Sequence, residues 1–391
     1  MSRRLFGTLC GLVALVNLGR VVFAPLLEPL RAAFGVGPAA VGLVASLAWF
    51  GTAVVRIPTG YLLTRTPRHR VVLGTGVLLA GGATLAALAP TIRVLQAAAF
   101  VLGASSGAYF VAAVPLIGEL YPDAVGRSVG VHGTAAQAAA VAAPGIVVGA
   151  LSLADWRAVF WLLAAAALAV TAALAAVART TPLPSVDPDR NFRAALAHWR
   201  VVLAGVAVVA AAGFVWQGLF NFYVTYLLAE KGLGLDAANL ALTLLFAAGI
   251  PGFALGGGLA DRLPNVPYLL GLLAAFVCGL LVLVRAEGTV PVFAVSVGIG
   301  LVVHAVFPAL DVYVLGALPA ADRASAYAVF SGVALAIESG GSGAVGALTD
   351  AGYAFGAVFG AAAILLAGVV AVLAALYLAG RFPAADPGPP R

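Results

Sequence analysis

Long apolar runs alternate with short polar breaks along the whole chain. A helix that crosses a bilayer needs about 20 apolar residues, and twelve runs are of about this length. Open sheet edges cannot be satisfied in lipid, and a β-barrel would show short alternating strands instead of continuous apolar runs. The pattern therefore predicts an all-α polytopic membrane protein with spans at 5–30, 41–63, 71–89, 94–118, 128–151, 158–178, 200–229, 240–260, 268–284, 290–318, 325–348 and 354–378.

One polar stretch near the middle of the chain divides these spans into two sets of six. It is rich in Pro, Arg and Asp. We predict an N-terminal six-helix bundle, a cytoplasmic linker, a C-terminal six-helix bundle and a cytoplasmic tail, at 1–178, 179–199, 200–378 and 379–391.

The two halves also repeat in sequence. Gly60–Arg65 after the second span aligns with Gly257–Arg262 after the eighth, at an offset of 197 residues. Asp155 and Asp350, which precede the sixth and twelfth spans, are 195 residues apart. Matches at nearly one offset indicate duplication, so we expect two bundles related by pseudo-two-fold symmetry.

Composition and charge agree with a membrane protein. The chain of 391 residues is 63% hydrophobic and 9% charged, whereas a soluble domain is about a quarter charged. This excludes an ordinary soluble enzyme, a disordered chain and a nucleic-acid binder. Fourteen of the 21 basic residues fall on one side of the predicted layout and five on the other. The positive-inside rule then places both termini in the cytoplasm, with the chain in the cytoplasmic membrane.

No cofactor or metal site is expected from the sequence. Cys10 and Cys278 lie in separate apolar runs, and the four histidines are scattered, so neither a disulfide framework nor a zinc site is indicated. The glycine-rich stretches 256–258 and 340–343 lack the Lys-Ser/Thr of a phosphate loop. We expect no enzymatic activity and no nucleotide-driven transport.

Several motifs resemble those of the major facilitator superfamily of transporters. Gly257–Arg262 fits the loop motif G-x-x-x-D-R/K, and the first copy has Thr64 in place of the aspartate. Arg93–Gln96 resembles the R-x-x-Q-G signature, and Ala143–Gly145 resembles the Gly-Pro antiporter motif. The resemblance implies that spans 1, 4, 7 and 10 line a central cavity about which the two bundles rock, as expected for a repeat-built transporter.

Two narrower resemblances concern the substrate. Gly51–Gly60 looks like the second-span segment of nitrate/nitrite porters, in which the arginine matched by Arg56 binds the anion. Phe253 stands where those porters carry a second arginine. Arg20 matches a first-span arginine of anion:cation symporters and organophosphate antiporters.

Five ionisable residues lie inside predicted spans. A charge at the centre of a spanning helix costs about 2.5–3.5 kcal/mol, which makes each a candidate functional residue. With a rise of about 1.5 Å per residue, one layer holds Arg20, His304 and Glu338, and a layer nearer the cytoplasm holds Arg56 and Asp311.

The arginines are the candidate substrate ligands. Guanidinium stays charged and offers a bidentate fork to an anion, and Asn17 lies one turn before Arg20. The alternative for Arg20 is a structural pair with Glu338 or Asp311. The alternative for Arg56 is a side chain that extends to the cytoplasmic interface.

The other buried polar residues suggest proton coupling and solute contact. His304 and Asp311 share a helix face, and a desolvated Glu338 could carry a proton, so all three are candidates for coupling. Gln217 and Asn221 form a polar stripe in the seventh span and, with His304, are candidates for substrate contact. The alternative for each is a permanent structural contact within the bundle.

Charged residues near the cytoplasmic loops fit gating contacts by resemblance. The alternative is ordinary topogenic or solvated charge. The candidates are Arg65, Arg127, Asp261, Arg262 and Arg323.

The sequence thus predicts a monomeric secondary transporter. Its expected partners are the lipid bilayer, protons and a small-molecule substrate. The leading hypothesis is a small organic or inorganic anion coupled to protons. The alternatives are a proton-coupled exporter of amphiphilic drugs and a non-transporting sensor with a transporter fold.

Overall fold

The computed structural model describes residues 3–179, 199–317 and 323–381. Within these ranges the chain forms α-helices, one 3-10 turn at Pro122–Ala124 and no strand. The prediction of an all-helical protein is therefore confirmed. In chain order the helices are α1 Arg3–Val21, α2 Phe23–Phe34, α3 Pro38–Val54, α4 Arg56–Leu62, α5 Arg68–Ala87, α6 Ile92–Leu120, α7 Val125–Leu153, α8 Arg157–Ala178, α9 Trp199–Asn221, α10 Tyr223–Glu230, α11 Leu235–Ala247, α12 Gly249–Ala260, α13 Asn265–Arg285, α14 Thr289–Ala317, α15 Arg323–Glu338, α16 Gly340–Asp350 and α17 Phe355–Leu378.

The described helices account for the predicted spans with one difference. Ten segments are long and apolar enough to cross a membrane, and α9 with α10, bent by 59°, makes an eleventh. The remaining predicted span, 325–348, which is the eleventh in chain order, is helical but is divided between α15 and α16, which are 16 and 11 residues long. Most of the predicted linker and tail, 180–198 and 382–391, lies outside the described residues.

Five of the predicted spans are broken helices, which the sequence analysis treated as continuous. The breaks fall at Val22, Val55, Phe222, Ala248 and Ser339. In three of them a proline occupies the third position of the new helix, at Pro25, Pro58 and Pro251. Proline has no N–H and is tolerated in a first turn, so these three prolines are compatible with a helix that restarts at the break. The first two breaks of each half occupy corresponding spans, in agreement with pseudo-two-fold symmetry.

Small residues let the helices pack closely. A Cβ atom on Gly103 of α6 would collide with the carbonyl group of Ala48 on α3. The Thr52 hydroxyl donates to the carbonyl oxygen of Gly103 over 3.0 Å and joins the same two helices. Such contacts replace the hydrophobic effect, which cannot drive helix association inside lipid.

The two halves meet through α3 and α16 on the side of the bundle away from the described chain ends. The Ala39 N–H donates to Asp350 Oδ2 over 3.1 Å, at the start of α3. Two turns further in, the Gly343 N–H donates to Ser46 Oγ over 2.8 Å. These contacts close one end of the space between the halves, where the cavity described below lies.

We predict that Gly103→Ala destabilises the protein and that Gly74→Ala does not. The added methyl at Gly103 has to displace backbone, at a cost of about 1–3 kcal/mol, whereas nothing lies within 4 Å of a Cβ at Gly74. Thermal unfolding of the two purified variants measures the difference. Equal melting temperatures would contradict the close α3–α6 contact.

Candidate functional site

A cavity of about 210 Å³ lies between the two halves. Four of its lining residues are ionisable, namely Arg20 and Arg56 from the N-terminal half and Asp311 and Glu338 from the C-terminal half. The rest of its wall is largely aromatic and aliphatic, from Trp49, Val209, Phe307, Leu310, Tyr327, Phe330, Ser331, Ala334 and Leu335. The structure thus brings together four of the five ionisable residues that the sequence placed inside spans.

Arg20 lies near the end of α1, and its guanidinium is held between aromatic rings. Its Cζ atom is 4.3 Å from the centroid of the Trp49 ring and 5.4 Å from that of Phe110. The side chain is only 7% exposed, and its Nε has no hydrogen-bond partner in the described part of the chain. Aromatic faces attract a cation without neutralising it.

Asn17 fixes the orientation of this guanidinium. Its Nδ2 donates to the carbonyl oxygen of Ala136 on α7 over 2.7 Å. This leaves Oδ1 to accept from Nη2 of Arg20 over 2.5 Å. Asn17 was predicted to contact substrate, but both ends of its amide are used within the protein. Its contacts therefore orient the Arg20 guanidinium.

No carboxylate pairs with Arg20 among residues 3–179, 199–317 and 323–381. The salt bridges found there join Arg31 to Glu28, Arg68 to Glu119 and Arg157 to Asp155. The alternative in which Arg20 forms a permanent pair with Glu338 or Asp311 is thus not seen. A buried cation without a counter-charge is unfavourable. The guanidinium of Arg20 could therefore bind an anion reversibly.

Arg56 starts α4 and turns into the cavity instead of extending to an interface. Its Nη1 donates to Ser331 Oγ of the other half over 2.7 Å. It also interacts electrostatically with Asp311 and Glu338, although neither is at salt-bridge distance. Its Nε, like that of Arg20, has no partner in the described structure.

The two carboxylates are held differently. Asp311 Oδ1 accepts a hydrogen bond from the Tyr327 hydroxyl over 2.7 Å. Glu338 ends α15, is 6% exposed, and fills the space that a Cβ on Gly213 would need. Both side chains face the cavity, so each could exchange a proton with water or substrate there.

His304 lies outside this cavity, although the sequence analysis placed it in one layer with Arg20 and Glu338. Its Nδ1 is 2.7 Å from the carbonyl oxygen of Gly300, and its Nε2 is 3.4 Å from the amide nitrogen of Gln137. Its ring packs edge-on against Trp216 and Phe253. These neighbours come from α7, α9 and α12, so the imidazole is held at the interface of several helices.

The polar stripe of the seventh span bonds to the protein itself. Asn221 donates to Ser342 Oγ on α16 over 2.9 Å, and Ser342 donates to the carbonyl oxygen of Gln217 over 2.9 Å. Neither Gln217 nor Asn221 lines the cavity. Their contacts fit the interhelical alternative.

The residues predicted to gate form no ion pair within the described chain. The Arg65 Nη2 donates to the Tyr61 hydroxyl over 2.6 Å, and Arg127, Asp261 and Arg262 are exposed. The Arg323 side chain lies outside the described part. The cross-helix pair on this side is Arg68 with Glu119, 2.6 Å apart, which the sequence analysis missed.

Tyr327 and Trp49 are cavity residues that contact a charged group and that the sequence analysis did not assign to a site. Tyr327, Ser331 and Glu338 follow at spacings of four and seven, which puts all three on one helix face. That spacing was a usable signal for Tyr327. Trp49 lies seven residues before Arg56. Its contact with Arg20, however, depends on how α1 and α3 are rotated about their axes.

The chain belongs to the Major Facilitator Superfamily, whose family model matches residues 9–337. The superfamily consists of multi-pass membrane transporters, not enzymes. The fold is similar to a bacterial homologue of the human lysosomal transporter Spinster. Inward-facing crystal structures of that protein, unoccupied and occupied, give TM-scores of 0.75 and 0.76 at 19% identity. They cover 98% of this chain and 97% and 98% of the homologue.

Two relatives have a higher sequence identity to the chain over shorter matched regions. The probable sulfoacetate transporter SauU of Cupriavidus necator is 25% identical over 66% of this chain. A chloramphenicol resistance protein of Streptomyces lividans is 29% identical over 64% of this chain. Each match spans 65% of the relative's own length, slightly under two thirds.

We predict that Arg20→Met leaves the thermal stability of the protein unchanged or raises it. Methionine removes an uncompensated buried charge and keeps apolar volume, and water in the cavity can hydrate Asn17. Arg68→Met should instead lower stability by up to about 1 kcal/mol, because it removes the ion pair with the exposed Glu119. Melting curves of both variants provide the comparison. A larger loss for Arg20→Met would show that Arg20 has a structural partner.

Proposed function

We propose that this protein is a secondary active transporter of a small anion, driven by protons and working by alternating access in the cytoplasmic membrane. The observation that carries the proposal is Arg20, a buried guanidinium that lines the cavity and has no carboxylate partner in the described part of the chain. Binding an anion supplies the missing counter-charge. Guanidinium also matches carboxylate, sulfonate and phosphate with paired hydrogen bonds.

The size of the cavity favours a small solute over a drug. Pockets for drug-sized ligands enclose about 300–1,000 Å³, and this one has a volume of about 210 Å³. An anion of a few heavy atoms fits, with Trp49 and Phe307 against its body. The description of one relative as a sulfoacetate transporter points to the same class of substrate.

Protons are the proposed coupling ion because two carboxylates face the same cavity. Asp311 and Glu338 would repel an entering anion while ionised and admit it once protonated. Glu338 is the stronger candidate carrier, since Tyr327 already donates to Asp311. Proton uptake and anion uptake would then favour each other.

The arrangement of two bundles around the cavity suits alternating access. The bundles 1–178 and 200–378 rock about the cavity, joined by the linker 179–199. Both termini lie in the cytoplasm, and the protein acts as a monomer. The contacts between α3 and α16 close the cavity at the opposite end and have to separate for it to open there.

A proton-coupled drug exporter is the second candidate. Most of the cavity wall is apolar, and the relative from Streptomyces lividans is a chloramphenicol resistance protein. Drug export predicts that a strain lacking the gene becomes more sensitive to amphiphilic compounds. Anion transport predicts no such change.

We expect Arg20→Gln to abolish anion uptake into proteoliposomes, because glutamine has neither the positive charge nor the paired N–H donors of the guanidinium. Sulfoacetate is the first substrate to assay. Arg285→Gln is the matched control, since Arg285 is an exposed arginine at the end of α13. Normal uptake by Arg20→Gln would refute the proposed role of Arg20.

Glu338→Gln should separate proton coupling from binding. The amide cannot ionise, so an imposed pH gradient should drive net uptake less strongly than in the wild type. Exchange of labelled for unlabelled anion should persist, because it does not require release of the proton. Net uptake that follows the pH gradient as strongly as in the wild type would show that Glu338 carries no coupled proton.

A further inference from the structure

Both arginines in the cavity keep a donor that the protein does not use. The Nε atoms of Arg20 and Arg56 are buried without hydrogen-bond partners in the described structure. Each side chain is otherwise anchored, Arg20 by Asn17 and Arg56 by Ser331. Trp49 Nε1, in the same cavity wall, is likewise unpartnered in that part of the chain. Buried donors are nearly always satisfied, so these three donors indicate acceptor groups on a ligand, and the two arginines place charged donors at two points of the wall.

The directions of approach are restricted at Arg20. Trp49 lies over its guanidinium at 4.3 Å and Phe110 at 5.4 Å. A ligand therefore reaches the edge of the fork, where an acid group can accept two parallel hydrogen bonds. Each anchored arginine offers such an edge, one to each end of a ligand.

The two guanidiniums also repel each other. Arg20 and Arg56 are close enough for their charges to interact, and like charges with little water between them are unfavourable. An anion between them converts this repulsion into two attractions. The apolar side chains of Phe307 and Leu310 in the same wall suit a short hydrocarbon body.

The charge count agrees with a ligand of charge −2. The charged or titratable groups that line the cavity are Arg20, Arg56, Asp311, Glu338 and Tyr327, from α1, α4, α14 and α15. With both carboxylates protonated, the two arginines leave a charge of +2. A dianion cancels it, so the loaded cavity is neutral.

We propose that the ligand of this cavity is a short organic dianion, with one acid group on Arg20 and the other on Arg56. This rests on the proposed anion transport and adds to it the charge and the two-ended binding of the substrate. As a consequence, two protons accompany each dianion, on Asp311 and Glu338. Transport is then insensitive to membrane potential.

A series of two-carbon sulfonates tests the proposal. Sulfoacetate carries a second negative charge, 2-hydroxyethanesulfonate carries a hydroxyl group, and taurine carries an ammonium group. Their affinities are measured by calorimetry on the purified full-length protein, on Arg56→Gln, on Arg20→Gln and on the control Arg285→Gln. Inorganic sulfate is the fourth probe and tests whether a single oxyanion bridges both arginines.

We expect the wild type and Arg285→Gln to bind sulfoacetate about tenfold or more tightly than 2-hydroxyethanesulfonate, as a second charge-assisted contact would give. Arg56→Gln should erase this preference while it still binds 2-hydroxyethanesulfonate, which also verifies its fold. Arg20→Gln should lose both ligands.

Three results would overturn the two-ended organic dianion. They are an unchanged preference in Arg56→Gln, tightest binding of 2-hydroxyethanesulfonate or taurine by the wild type, and sulfate binding as tight as that of sulfoacetate. If none of the four probes binds the wild type, the proposed anion transport is itself contradicted. The two failures are therefore distinguishable.

Discussion

A guanidinium that enters a bilayer gives up its water, and the protein around it has to replace that water or provide a counter-charge. Arg20 is the side chain in which this constraint is least satisfied. Two aromatic rings and one asparagine oxygen contact it, and no carboxylate does so in the described residues. Asn17 is in turn held by a carbonyl oxygen of α7, so the orientation of the arginine depends on the packing of α1 against α7.

The rest of the structure leaves the uncompensated charge of Arg20 open to the cavity and away from permanent ion-pair partners. Arg56 lies beside the carboxylates of the other half, close enough to interact but not paired with them. Breaks in the spanning helices place Arg56 at the start of a new helix and Glu338 at the end of one. The contacts of α3 with α16 join backbone N–H groups to Ser46 and to Asp350. Asp350 is exposed, so the two helices can separate there without leaving a buried charge unpaired.

Much of this arrangement is contained in the sequence. Apolar run length predicted the all-helical membrane fold, and the motifs around Asp261 and Gln96 predicted the superfamily. Depth along each span placed Arg20 and Glu338 in one layer and Arg56 and Asp311 in a second layer, and in the structure all four line one cavity. Depth alone misplaced His304, because helix rotation decides whether a side chain meets the cavity or, as here, Gln137 and Trp216. Rotation also explains why Trp49 was missed, and why the stripe of Gln217 and Asn221 proved to bond within the protein.

In the proposed function, a bound anion and not a protein group supplies the counter-charge of the Arg20 guanidinium. A structure of the protein determined in the presence of sulfoacetate tests this most directly. We expect density for an acid group within hydrogen-bond distance of the Arg20 guanidinium, between the two halves. Ligand density elsewhere, with the Arg20 guanidinium contacting protein atoms alone, would contradict it.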